Sequence, residues 1–271
     1  MKARIKFQKY GAMKFVGHLD VMRYFQKMFR RAKIDNEYTK GFSPHQIMSF
    51  AAPLGVGLTS DAEYVDIQLL SSDTPEEMIT RINAAMTEGF RVIGFHPLLE
   101  REENKKNVTA MSLVCSADYL VSLKDGYHIS DTITNQEEFS KSFTEFLNQQ
   151  EIVIGKKTKN SEKAVDIKPL ITLTAFSVRE YEEKRLPLLA EKLPESMKAD
   201  SLADNYQNGM KVYLQMDTGS SVNLKPELVI EAFFDYLSLP YEKFAWQVHR
   251  LEVYTRLTEG GKLAALDQIE R

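Results

Sequence analysis

The run Lys2-Ala3-Arg4-Ile5-Lys6-Phe7-Gln8 alternates apolar with polar side chains, and most of the polar ones are basic. Period two is the spacing of a β-strand with one buried face. Beyond Gly11 and Gly17 the period changes. Leu19, Met22, Phe25, Phe29 and Ala32 recur three or four residues apart, which predicts an amphipathic helix over residues 18–34. Its far side carries Arg23, Lys27, Arg30 and Arg31. A strand feeding a helix opens a mixed unit, and the next residues show how it closes.

Residues 38–46 contain Gly41 and Pro44 and form a turn or loop, followed by an extended stretch at 47–51. A strand at 64–70 buries Val65, Ile67 and Leu69. Thr74 with Glu77 three residues later is a capping box, with Pro75 at the first helical position. Residues 90–95 return as a strand. The order strand, helix, strand, strand, helix, strand is the ferredoxin-like split βαβ arrangement.

The polar segment 100–107 is the expected connection to a second unit with the same grammar. It has a strand around Tyr119, Val121 and Leu123, then Thr134 with Glu137 as a second capping box. A helix with Phe139, Phe143, Phe146 and Leu147 on one face follows. After it come a strand at 152–154, a basic hairpin-like run at 156–163, and strands at 165–176 and 211–217. A helix from Pro226 and a strand at 246–254 complete the unit. The expectation is therefore an α+β protein of two tandem ferredoxin-like (βαββαβ) domains with mostly antiparallel sheets. They occupy residues 1–100 and 112–271, with an irregular insertion at 181–209.

Composition supports two cores. The chain has 271 residues, 43% hydrophobic and 27% charged, which suits folded domains and exceeds the usual size of a single core. The formal net charge of -3 creates no global field for phosphate, so a nucleic-acid surface has to be a local patch. The one cysteine, Cys115, excludes an intrachain disulfide and the three-cysteine cluster of a radical-SAM enzyme. It lies in the apolar stretch Leu113-Val114-Cys115, where a structural thiol is expected. No apolar run resembles a signal peptide or is long enough to span a bilayer, so the expected location is cytoplasmic. No metal and no cofactor is expected.

Four groups of residues could carry function. His18, Asp20 and His45 are the catalytic candidates, because histidine and carboxylate brought together can exchange protons; capping and packing are the competing structural roles. Arg23, Lys27, Arg30, Arg31 and Lys40, with Lys2, Arg4 and Lys6 on the first strand, form a candidate phosphate-binding surface. Tyr38 or Phe42 could stack an unpaired base there. Lys156, Lys157 and Lys159 form a second basic cluster on a turn. Ser220, Ser221 and Asn223, just before the Pro226 helix, are an anion-binding candidate. A solvated helix face, a soluble hairpin tip and ordinary capping explain the same residues. Walker-type, GxGxxG and GxSxG motifs are absent from the sequence.

Several stretches together resemble one family: Gly17-His18-Leu19-Asp20, Arg30-Arg31-Ala32, Gly41-Phe42-Ser43-Pro44-His45 and Ala62-Glu63-Tyr64-Val65-Asp66-Ile67. Val165-Asp166-Ile167-Lys168-Pro169-Leu170, Ser221-Val222-Asn223-Leu224-Lys225-Pro226-Glu227 and Val248-His249-Arg250 fit as well. The chain is similar to the radical-SAM-linked proteins, a bacterial family carried as a domain of unknown function. The similarity covers most of the chain and is strongest before residue 95. Members are fused behind a B12-binding radical-SAM enzyme or encoded beside one, often near a ribonuclease of the E/G class; this chain looks like the separate form.

The resemblance implies a suspected functional surface at His18, Asp20, Gly41, Phe42, Pro44 and His45. The residues after His45 lack the basic side chain expected there. The leading expectation is an accessory RNA-binding or substrate-presenting protein acting with a radical-SAM enzyme in RNA modification or processing; whether it catalyses a step on its own stays open. Paired ferredoxin-like units serve as RNA-binding scaffolds elsewhere, an argument by fold analogy. One rival is an RNA-processing or RNA-modifying enzyme using His18 and His45. The other is a protein-only adaptor for the radical-SAM partner.

Overall fold

A computed structural model describes residues 1–99, 108–157, 162–191, 201–219, 223–258 and 260–269. The first half runs β1 (Lys2–Lys9), α1 (His18–Arg31), β2 (Met48–Phe50), β3 (Thr59–Gln68), α2 (Pro75–Ala84) and β4 (Phe90–Leu98). The second opens with α3 (Ala110–Leu113), β5 (Ser116–Leu123), α4 (Gln136–Leu147), β6 (Val153–Lys157) and β7 (Glu162–Asp166). It continues through β8 (Ile171–Ala175), α5 (Val178–Arg185), β9 (Lys211–Asp217), α6 (Pro226–Leu237), β10 (Trp246–Arg256) and β11 (Leu263–Ala265).

The protein is α+β, with a mostly antiparallel mixed sheet and 6 α-helices among the described residues. Nine strands form one sheet in the order β4-β1-β3-β10-β5-β9-β8, with β2 on β3 and β11 on β10; β6 and β7 pair separately. The halves join at β3 and β10, which pair in parallel through His249 opposite Thr59 and Arg250 opposite Ser60.

Alternation in the strands decides which face the helices cover. Ile5, Phe7, Val65 and Ile67 point toward Phe25, Phe29, Met78 and Ile82 of α1 and α2 in one core. Val121, Val212, Leu214 and Val248 point toward Phe139, Phe143, Val229 and Phe233 of α4 and α6 in the other. The opposite face is polar and also buried. Arg4 donates to Asp66, Lys6 to Glu252 and Asp267, and Tyr64 to the same two carboxylates. Tyr181 and Tyr254 donate to Asp118, which also accepts from Gln215. α5 and the segment 263–269 supply part of the cover on this side.

Several sequence expectations need correction. α1 ends at Arg31, short of residue 34, because Lys33 turns left-handed (φ 53°) and lets the Ile34 N–H close back on the Phe29 carbonyl. The Thr74–Glu77 capping box forms with Pro75 in the first turn, but its second counterpart does not. Asn135 caps α4, accepting from the N–H groups of Glu137 and Glu138, and Thr134 donates to Glu138. The strand expected over 165–176 is broken at Pro169 by a short 3₁₀ turn, Lys168–Leu170. Arg4 and Lys6 are buried in ion pairs, so they leave the candidate basic surface. The described parts of 181–209 include the end of α5 and a turn held by Asp125, which accepts the N–H groups of Gln207 and Asn208. The connection at 100–107 lies outside the described residues.

Candidate functional site

A cavity of about 450 Å³ opens at the seam. Five stretches of sequence meet there: residues 51–58 after β2, α3 with Val114 just beyond it, β5 at Tyr119, the turn leading into α6, and β10. Ala52, Leu58, Val114 and Tyr119 give it apolar walls, while Asn223, Lys225, Glu227 and Arg250 contribute polar groups. Gly219 packs its backbone directly against Val114 at the cavity wall. Its φ is +142°, and a Cβ there would sit 2.4 Å from the Val114 carbonyl oxygen.

Arg250 is brought to the cavity by the register of β10, just ahead of an irregularity between Arg250 and Glu252. Its Nη1 donates to both Glu63 oxygens, at 2.9 and 3.0 Å, and to the Ala52 carbonyl at 2.7 Å. Its guanidinium lies 5.6 Å from the Tyr119 ring centre. Its Nε–H is buried with no acceptor, and so is Glu227 Oε2 with no donor. Burial opposes the charge on Arg250, but Glu63 outweighs it and holds the guanidinium above its ordinary range. Burial pushes the Glu63 carboxyl up, against the pull of Arg250.

Next to this cavity, and sharing Pro53 with it, lies a small recess lined by Lys9, His18, Phe50 and Glu63. Lys9 donates to the Val16 carbonyl at 3.0 Å, and burial lowers its pKa. His18 packs edge-on to Phe50, 5.3 Å between ring centres. Partial burial and the Lys9 charge push its pKa down, so its neutral form is favoured.

The three catalytic candidates thus have separate surroundings. Asp20 is exposed and pairs with Arg23 at 3.1 Å. His45 is exposed and bonds within its own loop, to the Thr39 hydroxyl at 3.1 Å. Among the described residues no contact joins it to His18.

Arg23, Lys27, Arg30 and Arg31 do stand on the exposed side of α1. Arg31 lies over the Tyr24 ring and donates to the Ala85 carbonyl. Lys40 and Phe42 are exposed on the following loop, Phe42 completely so. β6 carries Lys156 and Lys157 on a two-stranded ribbon whose tip, with Lys159, lies outside the described residues. Ser220 and Ser221 also lie outside them, whereas Asn223 accepts from the Thr218 hydroxyl at the cavity edge.

Cys115 is half-buried, and burial pushes its thiol pKa up, away from nucleophile chemistry. Among the described residues no group of three or more His, Cys, Asp or Glu is arranged to hold a metal ion. No helix among them is long and apolar enough to cross a membrane.

The fold and the seam cavity define an α+β protein with one mostly antiparallel mixed sheet and a recess at its parallel seam. Residues 2–226 match the family described as uncharacterized protein conserved in bacteria (DUF2344), and the chain belongs to that family. No curated protein matches the sequence.

Proposed function

We propose that this chain is an accessory RNA-binding protein that presents its substrate to a separate radical-SAM enzyme. The observation that carries the reading is the exposed row Arg23, Lys27, Arg30 and Arg31 along α1, followed by a loop that offers Lys40 and a fully exposed Phe42. Cations on one helix face neutralise phosphates, and an exposed aromatic ring stacks an unpaired base. The radical-SAM partner rests on the family resemblance in the sequence and on the single cysteine, which leaves a three-cysteine cluster to another chain.

The same reading treats the halves, 1–100 and 112–271, as tandem ferredoxin-like units. Its support is their strand order: β4-β1-β3-β2 in the first half and β10-β5-β9-β8 in the second, antiparallel throughout each. Each corresponds to the order 4-1-3-2 of a split βαβ unit once the β6–β7 ribbon and the residues around α5 are treated as insertions.

The test is the salt dependence of RNA affinity. Single-stranded RNA held by phosphate contacts loses affinity with salt at a log-log slope of roughly 0.7 per neutralised phosphate. The variant R23E/R30E should weaken binding and flatten that slope by about one to two. An unchanged slope removes α1 from the interface. Absence of RNA binding in the wild-type chain replaces this reading with the protein-only adaptor.

A further inference from the structure

We infer that the seam cavity is a binding site for a small organic carboxylate with an apolar body. The inference uses none of the α1 cations and is independent of the RNA-binding reading. It starts from the three nitrogens of the Arg250 guanidinium. Nε is shut in without a partner, and Nη1 is occupied by Glu63 and the Ala52 carbonyl. Nη2 has no acceptor among the described residues, and it is not one of the enclosed unpartnered atoms, so it shares in the 8% of the side chain that stays open to solvent. Because Arg250 lines the cavity, Nη2 is the guanidinium donor presented to it.

Charge narrows the ligand class. The cavity wall carries Arg250, Lys225 and Glu227. Behind it Glu63 bonds Arg250, and Lys9 feels the charges of both. Three cations, Arg250, Lys225 and Lys9, therefore stand against two carboxylates, Glu63 and Glu227, and one positive charge is left over. Partial burial and the Lys9 charge favour neutral His18, which adds nothing to the sum. Lys9, Glu63 and Arg250 are all buried, so their surplus charge is costly, and a monoanion in the cavity offsets it. A carboxylate brings a single charge and planar acceptors that suit a guanidinium, whereas a phosphate monoester brings close to two. The walls formed by Leu58, Val114 and Tyr119 are apolar, and about 450 Å³ falls inside the roughly 300–1,000 Å³ range of small-molecule sites.

The experiment is a calorimetric titration of the full chain with benzoate and hexanoate, with benzamide as the uncharged match of benzoate and inorganic phosphate as the competing anion. Benzoate or hexanoate should bind, benzamide should bind at least about ten-fold more weakly than benzoate, and phosphate more weakly than the better carboxylate. Lys225→Gln, at the exposed rim, should weaken carboxylate binding about two- to five-fold. Glu227→Gln removes the opposing carboxylate and should tighten it by a similar factor, a gain that a folding defect does not produce. Because Arg250→Ala strands the buried Glu63, the Arg250 variant is the double substitution E63Q/R250M, which removes both charges. It should remain folded by circular dichroism and lose carboxylate binding; if it unfolds, Lys225→Gln and Glu227→Gln decide the matter.

Absence of binding by both carboxylates overturns the assignment. So does benzamide binding as tightly as benzoate, phosphate binding more tightly than either acid, or a Glu227→Gln chain that binds carboxylates more weakly than the wild type.

Discussion

The Arg250–Glu63 pair fastens the two halves at the level of single residues. Its partners are 187 positions apart in the chain, and both are almost fully buried. Removing one partner of a buried pair leaves an uncompensated charge, so Arg250→Ala should lower the unfolding free energy by roughly 3–5 kcal/mol, measured by urea denaturation. The E63Q/R250M variant should lose much less. Equal losses would mean that Arg250 acts through packing alone. Neither residue was legible as part of a site, because periodicity reports a face but not which distant side chain meets it. His249 and Arg250 stand next to each other on β10, yet His249 faces Thr59, with Nδ1 and the hydroxyl oxygen 2.8 Å apart, and Arg250 faces the cavity. The same limit applies to Arg4 and Lys6. Their alternation marks them as opposite the apolar face, but the segment at 263–269 that covers them is invisible from residues 2–8.

Local signals predict the elements well where packing and capping agree. The three-and-four spacing of Phe25 and Phe29 is a core stripe, and Phe25 is the hub of its cluster. Its ring lies 4.7 Å from Phe7, 5.4 Å from Phe50 and 5.8 Å from Phe90. Phe25→Ala should therefore cost about 3–5 kcal/mol, whereas Leu19→Ala should change stability by less than about 0.5 kcal/mol, because Leu19, which the spacing put on the same stripe, is exposed in the first turn of α1. Similar losses at both positions in chemical denaturation would contradict this assignment of faces. Local signals fail where two residues compete or the element is short. Asn135 stands next to Thr134 and is as strong a cap, so the Thr134–Glu137 spacing named the wrong pair. β11, at three residues, is too short to show a period.

Over the whole molecule, one continuous sheet runs through both halves of the chain across a narrow parallel seam, and the seam places the cavity. The α+β class was readable from residues 2–8 outward, since the chain carries periodic strands and helices along most of its length. The cavity was not. It is lined by Ala51 and Pro53 in one half and Asn223, Lys225 and Arg250 in the other, stretches that only the seam brings together.

We propose that RNA runs along α1, with its phosphates on Arg23, Lys27, Arg30 and Arg31. Ultraviolet crosslinking of the full chain to single-stranded RNA, with mapping of the modified peptides, separates this reading from its rivals. Crosslinks should fall at Phe42 and the residues beside α1, and R23E/R30E should remove them. Crosslinks confined to other surfaces, or none at all, would rule out the α1 interface.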